Sequence, residues 1–389
     1  MKILTLTSVF PNNLEAHLGI FVKQRMFTIG KFCHLKVVAP VYWYKYLKYN
    51  FKIPYFEIQE GIEVYHPKFF FIPRFFKFLD GFFFALSALP TLLKIRKNFN
   101  FDIIDSHFAY PDGYGAVLIG KILNIPVSIT LRGTLERLRK NPVIRRQIRW
   151  ALKNADIIIA VSSSLKERAV ELGIPNRKVT VIRNGIDPKK FFMLDKLDSR
   201  KKLGLPLDRR ILLSVGGLVE RKGFHHVIDV LPEVIREVSD LLYIIIGSPG
   251  AEGDMTSLLK KKIEKFNLKE YVRMVGSRPH HELVYWYNAS DVFCLFSSKE
   301  GCPNVVLESL ACGTPVVSSN VGGVPEIIPN DSLGYVINYN KQDLKDALIK
   351  AFNKNWNRKI IEKYGQTYTW DLVAQQQISL YEKVLNSRI

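Results

Sequence analysis

The strongest constraint in this chain is a rhythm that runs twice. Short apolar runs, each the length of one buried strand, alternate with stretches of helical spacing. In the first pass Lys2–Ser8, Leu35–Ala39, Phe101–Ser106, Pro126–Leu131, Asp156–Val161 and Val179–Arg183 read as strands, with Ile20–Ile29 as the first helix. Pro188–Pro206 is then polar, charged and without period, and reads as an interdomain linker. The pattern restarts with strands at Ile211–Val215, Leu241–Ile246, Val272–Val275 and Val292–Phe296. Alternation of this kind builds a parallel sheet clothed by helices. The predicted class is therefore α/β, with two Rossmann-like domains facing across a cleft, over residues 1–190 and 191–369. A last amphipathic helix, Trp370–Leu385, is long enough to return to the first domain, so residues 370–389 are counted with it. A chain of 389 residues can bury two such cores.

Open parallel sheets bind ligands outside the carboxyl ends of their strands, so residues there are the candidates. Gly19 stands at a strand–loop–helix junction, where a glycine lets backbone approach a phosphate. His107 ends Phe101–Ser106 and can serve as a general acid/base or as a hydrogen-bond donor to a sugar. A lone histidine is also often structural, and the spacing leaves both readings open. Pro126–Leu131 delivers Arg132 to the same edge. In the second half Gly216-Gly217, Gly247 and Gly276-Ser277-Arg278 each follow a strand. Leu138–Lys153 reads as one basic helix, and Ser164-x-x-Glu167 as a capping box.

The stretch Glu300–Pro325, EGCPNVVLESLACGTPVVSSNVGGVP, holds more chemistry than any other. Pro303 pre-sets a helical φ, and Asn304 is a good cap beside it. A helix from Asn304 to Cys312 closes on Gly313. Glu300 then faces the helix mouth, and Glu308 lies about one turn inside. The N–H groups of Asn304, Val305 and Val306 make a seat for a phosphate, with a carboxylate on each side for hydroxyls attached to it. A nucleotide-sugar site satisfies that pattern. Glutamates eight apart also arise by chance, so the spacing alone does not decide.

The net charge of +20 is lopsided. Residues 1–190 carry 30 Lys/Arg and 13 Asp/Glu, a net of +17 that leaves +3 for the remainder. An anionic partner of the first half follows: nucleic acid, an anionic membrane or an acidic substrate. The segment KFFFIPRFFKFLDGFFF mixes phenylalanine clusters with cations, which suits a membrane interface as well as a core helix with snorkelling cations. Gly81–Leu93 is too short to span a bilayer. Cys33, Cys294, Cys302 and Cys312 show no metal or disulfide spacing and fit a reducing compartment. The start, MKILTLTSVF, reads as a strand and not as a signal peptide.

The residues now quoted resemble a known family. GGLVERKG (Gly216–Gly223), IIGSPG (Ile245–Gly250), SSKEGCPNVVLESLACGTPVV (Ser297–Val317) and VGGVPEII (Val321–Ile328) are similar to motifs of retaining GT-B glycosyltransferases of family 4. The first half matches more loosely, through TSVFPNN, DIIDSHFAYPDG and TLRGT. The resemblance implies that the second domain holds a nucleotide diphosphate sugar and the first binds the acceptor. It implies that Glu308 takes the ribose hydroxyls and Glu300 the sugar hydroxyls, next to Gly301. It gives Lys222, with Arg221, the departing diphosphate, aided by main chain at Gly19, Gly217, Gly247 and Asn304–Val306. Main chain at Ser277-Arg278 would read the base, His107 would orient the donor sugar, and Arg132 would stand on the acceptor side.

No metal motif and no cofactor beyond the nucleotide-sugar donor is expected, because Lys222 and a helix end can neutralise the leaving group. A UDP-sugar is favoured over a GDP-sugar. The acceptor expected is a polyprenyl- or lipid-linked saccharide in bacterial surface polysaccharide or lipopolysaccharide synthesis. The enzyme would then be cytoplasmic and peripheral at the inner membrane, on an anionic membrane surface. Two departures stand out: relatives often carry arginine at Gly217, and Cys302-Pro303 replaces an aromatic and a glycine. A dehydrogenase is excluded by the missing G-x-G-x-x-G after the first strand. No nucleic-acid motif appears, so nucleic acid is not an expected partner. The remaining alternative is a basic membrane- or nucleic-acid-binding α/β protein without transferase activity.

Overall fold

The computed structural model describes residues 1–16, 18–48, 50, 52–72, 76–250 and 252–387. The chain divides into two compact units: Met1–Asn184 with Trp370–Ile389, and Gly185–Thr369. Ile186 donates its N–H to Tyr368 O at 3.0 Å inside the second unit.

The first unit is built on β1 (Lys2–Leu6), β2 (His34–Val38), β3 (Phe56–Gln59), β4 (Ile62–Tyr65), β5 (Ile103–His107), β6 (Val127–Leu131), β7 (Ile157–Ala160) and β8 (Val179–Val181). Their spatial order is β8-β7-β6-β5-β1-β2-β4-β3, parallel except for β3 against β4. Every residue of β5, β6 and β7 is buried, so none of these strands shows an apolar/polar alternation, and Asp105, Ser106 and His107 on β5 are buried polar residues. The helix Trp370–Asn386 belongs to this unit and buries Trp370, Val373, Ala374, Gln377 and Tyr381 in it.

The second unit carries β9 (Arg210–Val215), β10 (Leu241–Ile246), β11 (Val272–Gly276), β12 (Val292–Leu295), β13 (Val316–Ser319) and β14 (Gly334–Ile337). All are parallel, in the order β11-β10-β9-β12-β13-β14. Helix Phe224–Glu237 packs Phe224, Val227, Leu231 and Val234 into the core on one face of this sheet. The strand order reverses between β9 and β12, and in the first unit between β1 and β5. These are the switch points where a crevice opens at the strand ends.

Several expectations need correction. The supposed linker contains the helix Lys196–Leu203, capped by Asp195 and closed by Gly204. Its inward face is Ser199 and Arg200, so no apolar period betrays it. Arg200 donates to Ala289 O at 2.9 Å and Leu207 O at 3.0 Å, and pairs with Asp291 at 2.7 Å. The basic stretch is two helices, Leu135–Leu138 and Pro142–Asn154, because Asn141 caps the second through Val143 N and Ile144 N, with Pro142 at its first position. Ser162, and not Ser164, caps the next helix by accepting from Leu165 N.

Arg200→Met tests whether this segment is structural. Breaking a buried pair and leaving two carbonyls unmet should lower the unfolding free energy by about 3 kcal/mol, read by urea denaturation. A linker residue would leave the midpoint unchanged.

Candidate functional site

In the second unit the ends of β9, β10 and β11 are stitched by backbone. Gly216 N donates to Ile246 O at 2.9 Å and Gly247 N to Gly276 O at 3.0 Å. A Cβ on Gly247 would lie 1.8 Å from Gly216 O, so the strand ends close to this distance only with glycine there. The Lys222 stem runs over Gly216, and a Cβ at that position would meet Lys222 Cε at 3.4 Å. Gly217 is different. Its nearest neighbour would be Ser248 O at 3.9 Å, so packing leaves room for a side chain at this position.

Lys222 lies in a short turn, Glu220–Lys222, that ends on Gly223. Gly223 has φ +70°, and a Cβ there would sit 1.8 Å from Phe296 O. Both facts demand glycine. Its contact sets the Lys222 turn directly onto the segment leaving β12, and Ser298 N donates to Arg221 O at 2.9 Å in the same seam. Opposite, a Cβ on Gly322 (φ +57°) would lie 2.2 Å from Glu300 O, and Gly323 N donates to Gly301 O at 2.7 Å.

Between these clamps the charges meet. Lys222 Nζ lies 2.7 Å from Glu300 Oε1, and Arg221 Nη1 lies 3.3 Å from the same oxygen. Arg221 also reaches Lys299 O at 3.0 Å and Glu252 Oε2 at 2.9 Å. The Glu300 side chain is only 9% exposed. Burial would raise its pKa, but Lys222 and Arg221 beside it more than offset that and hold it below the usual carboxylate range.

Helix Asn304–Ala311 starts three residues past Gly301. Pro303 occupies the N-cap and no side chain caps the helix, so Asn304 is its first residue and not its cap. Val306 N already donates to Pro303 O at 3.2 Å, which withdraws it from the expected phosphate seat. Glu308 is 4% exposed and accepts from His280 Nε2 at 2.9 Å and Tyr287 Oη at 2.8 Å. His280 packs edge-on to Phe191, with ring centroids 5.1 Å apart. Two donors thus fix the carboxylate plane, and about two of its four lone-pair directions are left for a ligand. Sequence reasoning missed His280, Tyr287 and Glu252. His280 directly follows Arg278-Pro279, a proximity that could have flagged it. Ser277 and Arg278 are exposed, with Arg278 5.8 Å from the Trp286 ring.

In the first unit a second group forms at the ends of β5 and β6. His107 is fully buried. Its Nδ1 faces Arg132 Nη2 at 3.1 Å, and its Nε2 lies 3.1 Å from Asp105 Oδ2. Asp105 precedes it by two on the same strand face, a period-two signal the sequence offered. Arg132 also donates to Asn184 Oδ1 at 3.2 Å and stacks 4.6 Å from the Phe21 ring. Asp105 Oδ1 accepts from Tyr381 at 2.5 Å on the returning helix, where Gln377 bonds Tyr381 and, at 2.6 Å, Arg25 Nε. Of the two ring nitrogens Nδ1 is bonded to Arg132, whereas Nε2 lies close to Asp105 Oδ2 without a hydrogen-bond partner of proper geometry. Gly19 forms the N-cap of helix Ile20–Ile29, backed by the Val9 carbonyl. Asp112, also unread in the sequence, is buried at the same edge and accepts from Thr7 Oγ1, Ser8 N and Ser8 Oγ at 2.8–3.0 Å.

Two doubly wound units, one with paired carboxylates and cations at its switch point, define an α/β protein with a charged group at the strand ends of its second sheet. Two family models match in series: Glycosyltransferase Family 4 over residues 53–190 and Glycosyl transferases group 1 over residues 195–368. The chain belongs to the GT-B glycosyltransferases of this group 1/family 4 type, and it is a glycosyltransferase. It is 28% identical over 382 residues to Bacillus subtilis (strain 168) TuaC, a glycosyltransferase assigned to teichuronic acid biosynthesis, covering 94% of this chain and 93% of that protein. It is 25% identical to the N-acetyl-alpha-D-glucosaminyl L-malate synthase of Bacillus anthracis, over 77% and 79% of the two chains. Among solved structures, sucrose-phosphate synthase from Thermosynechococcus elongatus matches with a TM-score of 0.79 at 20% identity over 100% of both chains. Anabaena HepE in complex with UDP matches at 0.76 and 19%, over 98% and 100%.

Burial lowers the His107 pKa to about 4 from 6.5, with Asp105 opposing and Arg132 assisting. Below pH 6.5 the unfolded chain therefore binds a proton that the native one refuses until about pH 4. The first unit should lose stability as pH falls through that window and keep it above. Urea midpoints at pH 7 and pH 5 should converge for His107→Gln and separate for the unmodified protein. Equal separation in both would assign the acid sensitivity to other groups.

Proposed function

We propose that this glycosyltransferase moves a hexose-type sugar from a nucleotide diphosphate sugar to a saccharide acceptor, with retained anomeric configuration and without a metal ion. The observation that carries the reading is the convergence of Lys222 and Arg221 on one oxygen of the buried Glu300 beside a helix start. The C–O bond to the β-phosphate breaks in the transfer and the acceptor oxygen forms the new bond. Its proton passes to the leaving phosphate, which keeps the balance without a protein nucleophile.

Negative charge grows on that phosphate as the bond breaks. Lys222, preorganised by Glu300, stabilises the charge more in the transition state than before it. Backbone N–H groups at Asn304 and Val305 add to this, and Gly217 and Gly247 let main chain approach the diphosphate. Both cations use Glu300 Oε1, so Oε2 takes hydroxyls of the donor sugar. Glu308 takes the ribose diol in the plane set by His280 and Tyr287. Main chain at Ser277 and Arg278 reads the base. The HepE complexes with UDP and UDP-glucose support a uridine nucleotide for the donor. Arg132, held by His107, and the Gly19 helix start belong to the substrate side of the first unit. The teichuronic acid assignment of TuaC and the likeness to WaaB, a lipopolysaccharide outer core galactosyltransferase, favour surface polysaccharide synthesis, and a lipid-linked saccharide is the acceptor we propose for it.

Thermal shift with UDP, GDP and ADP in EDTA tests the donor side. UDP should raise the melting temperature and Lys222→Ala should weaken that rise. The same variant should lose roughly 10²-fold in turnover, the scale of one preorganised donor. No response to any nucleotide, unchanged turnover, or a strict divalent requirement would each overturn the corresponding part.

A further inference from the structure

The helix Asp80–Arg96 in the first unit is apolar on both sides, yet only one side is covered. Gly81, Phe84, Ala85, Ala88, Leu92 and Ile95 face inward. Phe84 closes against Gly115 of helix Tyr114–Leu123, where an added Cβ would lie 2.7 Å from its ring. The outward stripe is Phe82, Leu86, Pro90 and Leu93, at helical spacing, with Phe82 48% and Leu86 51% exposed. A surface helix of a globular protein ordinarily carries polar residues there. Phe70, bonded through its N–H to Ser87 Oγ at 3.2 Å, extends the apolar surface to the side, and Phe76 and Phe78 extend it at the start, their rings 6.0 Å apart. Phe76 is 55% and Phe70 58% exposed. Pro73, Arg74 and Phe75 lie outside the described residues.

The rim is basic. Gln147 on helix Pro142–Asn154 donates to Phe78 O at 2.7 Å, which fastens that helix to the edge of the aromatic surface. The helix exposes Arg145, Arg146 and Arg149, and Lys77 stands between the two exposed phenylalanines. Between Lys68 and Lys97 six lysines and arginines face Asp80 alone, and between Arg137 and Asn154 there are seven with no acid. Segment Lys77–Arg96 is long and apolar enough to cross a membrane by length and composition. Crossing would strip Phe84, Ala88 and Leu92 from the core of the first unit, whereas lying on a bilayer would bury only the side now exposed.

We propose that the face formed by Phe70, Phe76, Phe78, Phe82 and Leu86, with the arginines of helix Pro142–Asn154, docks flat on an anionic lipid bilayer. Apolar side chains enter the interface while the cations meet lipid phosphates, so both terms are needed. The surface lies wholly in the first unit and does not depend on the donor reading of the second.

Flotation of the full chain with phosphatidylcholine vesicles, with and without one quarter phosphatidylglycerol, tests this in 50 and 300 mM salt. The protein should float with the anionic vesicles at low salt and tenfold or more less at high salt. Phe76→Ser with Phe82→Ser, and separately Arg145→Glu with Arg146→Glu, should each cut binding tenfold or more. The melting temperature and nucleotide response of these variants should match the parent, which separates docking from folding and from the donor site. Equal binding to neutral vesicles, no flotation, or a concentration-dependent dimer abolished by the phenylalanine changes would overturn the proposal. The last outcome would assign the face to a second copy of the chain.

Discussion

A carboxylate buried to the depth of Glu300 cannot stand alone. Taking an ion out of water costs several kcal/mol, and the cost is met only by charges held in good geometry. Lys222 and Arg221 meet it from a turn 78 residues earlier in the chain. The two segments can touch because Gly223 brings the turn against the Phe296 carbonyl and Gly322 brings the following turn against the Glu300 carbonyl. A methyl group at either position would push the cations away from the carboxylate. The switch point of the second sheet, the start of helix Asn304–Ala311 and the Glu308 group are arranged around that contact.

The first unit solves a similar problem differently. Asp105, His107 and Arg132 sit at the ends of adjacent strands, and their partners come from the far end of the chain. Tyr381 and Gln377 reach Asp105 and Arg25 from the returning helix, so the last residues of the sequence support the first unit's strand edge. Hydrogen bonds that satisfy buried polar atoms rigidify what they connect. This gives the terminal helix a role in shaping the Arg132 side as well as in covering apolar surface.

Much of this architecture is legible in the residues. Leu241–Ile246 and Ile20–Ile29 form at the bounds their apolar residues predict, the first as an unbroken buried run and the second as a helix entered at Gly19. Glu300, Lys222 and Glu308 stand out because glycines and a proline punctuate the loops around them. The helix Lys196–Leu203 was hidden because a buried arginine anchors it and no apolar stripe does. The choice of Ser162 over Ser164, and of Pro303 over Asn304, turned on local backbone angles that composition does not encode. His280, Tyr287 and Tyr381 are distant in sequence from the carboxylates they hold, and only the closed fold brings them there.

The central claim is that the Lys222–Glu300 contact is the seat of a nucleoside diphosphate. A crystal structure of the protein soaked with UDP tests it most directly. The account predicts the β-phosphate within hydrogen-bond reach of Lys222 Nζ and the ribose hydroxyls on the Glu308 carboxylate. A nucleotide bound elsewhere, with Lys222 and Glu300 undisturbed and Glu308 contacting only His280 and Tyr287, would contradict it.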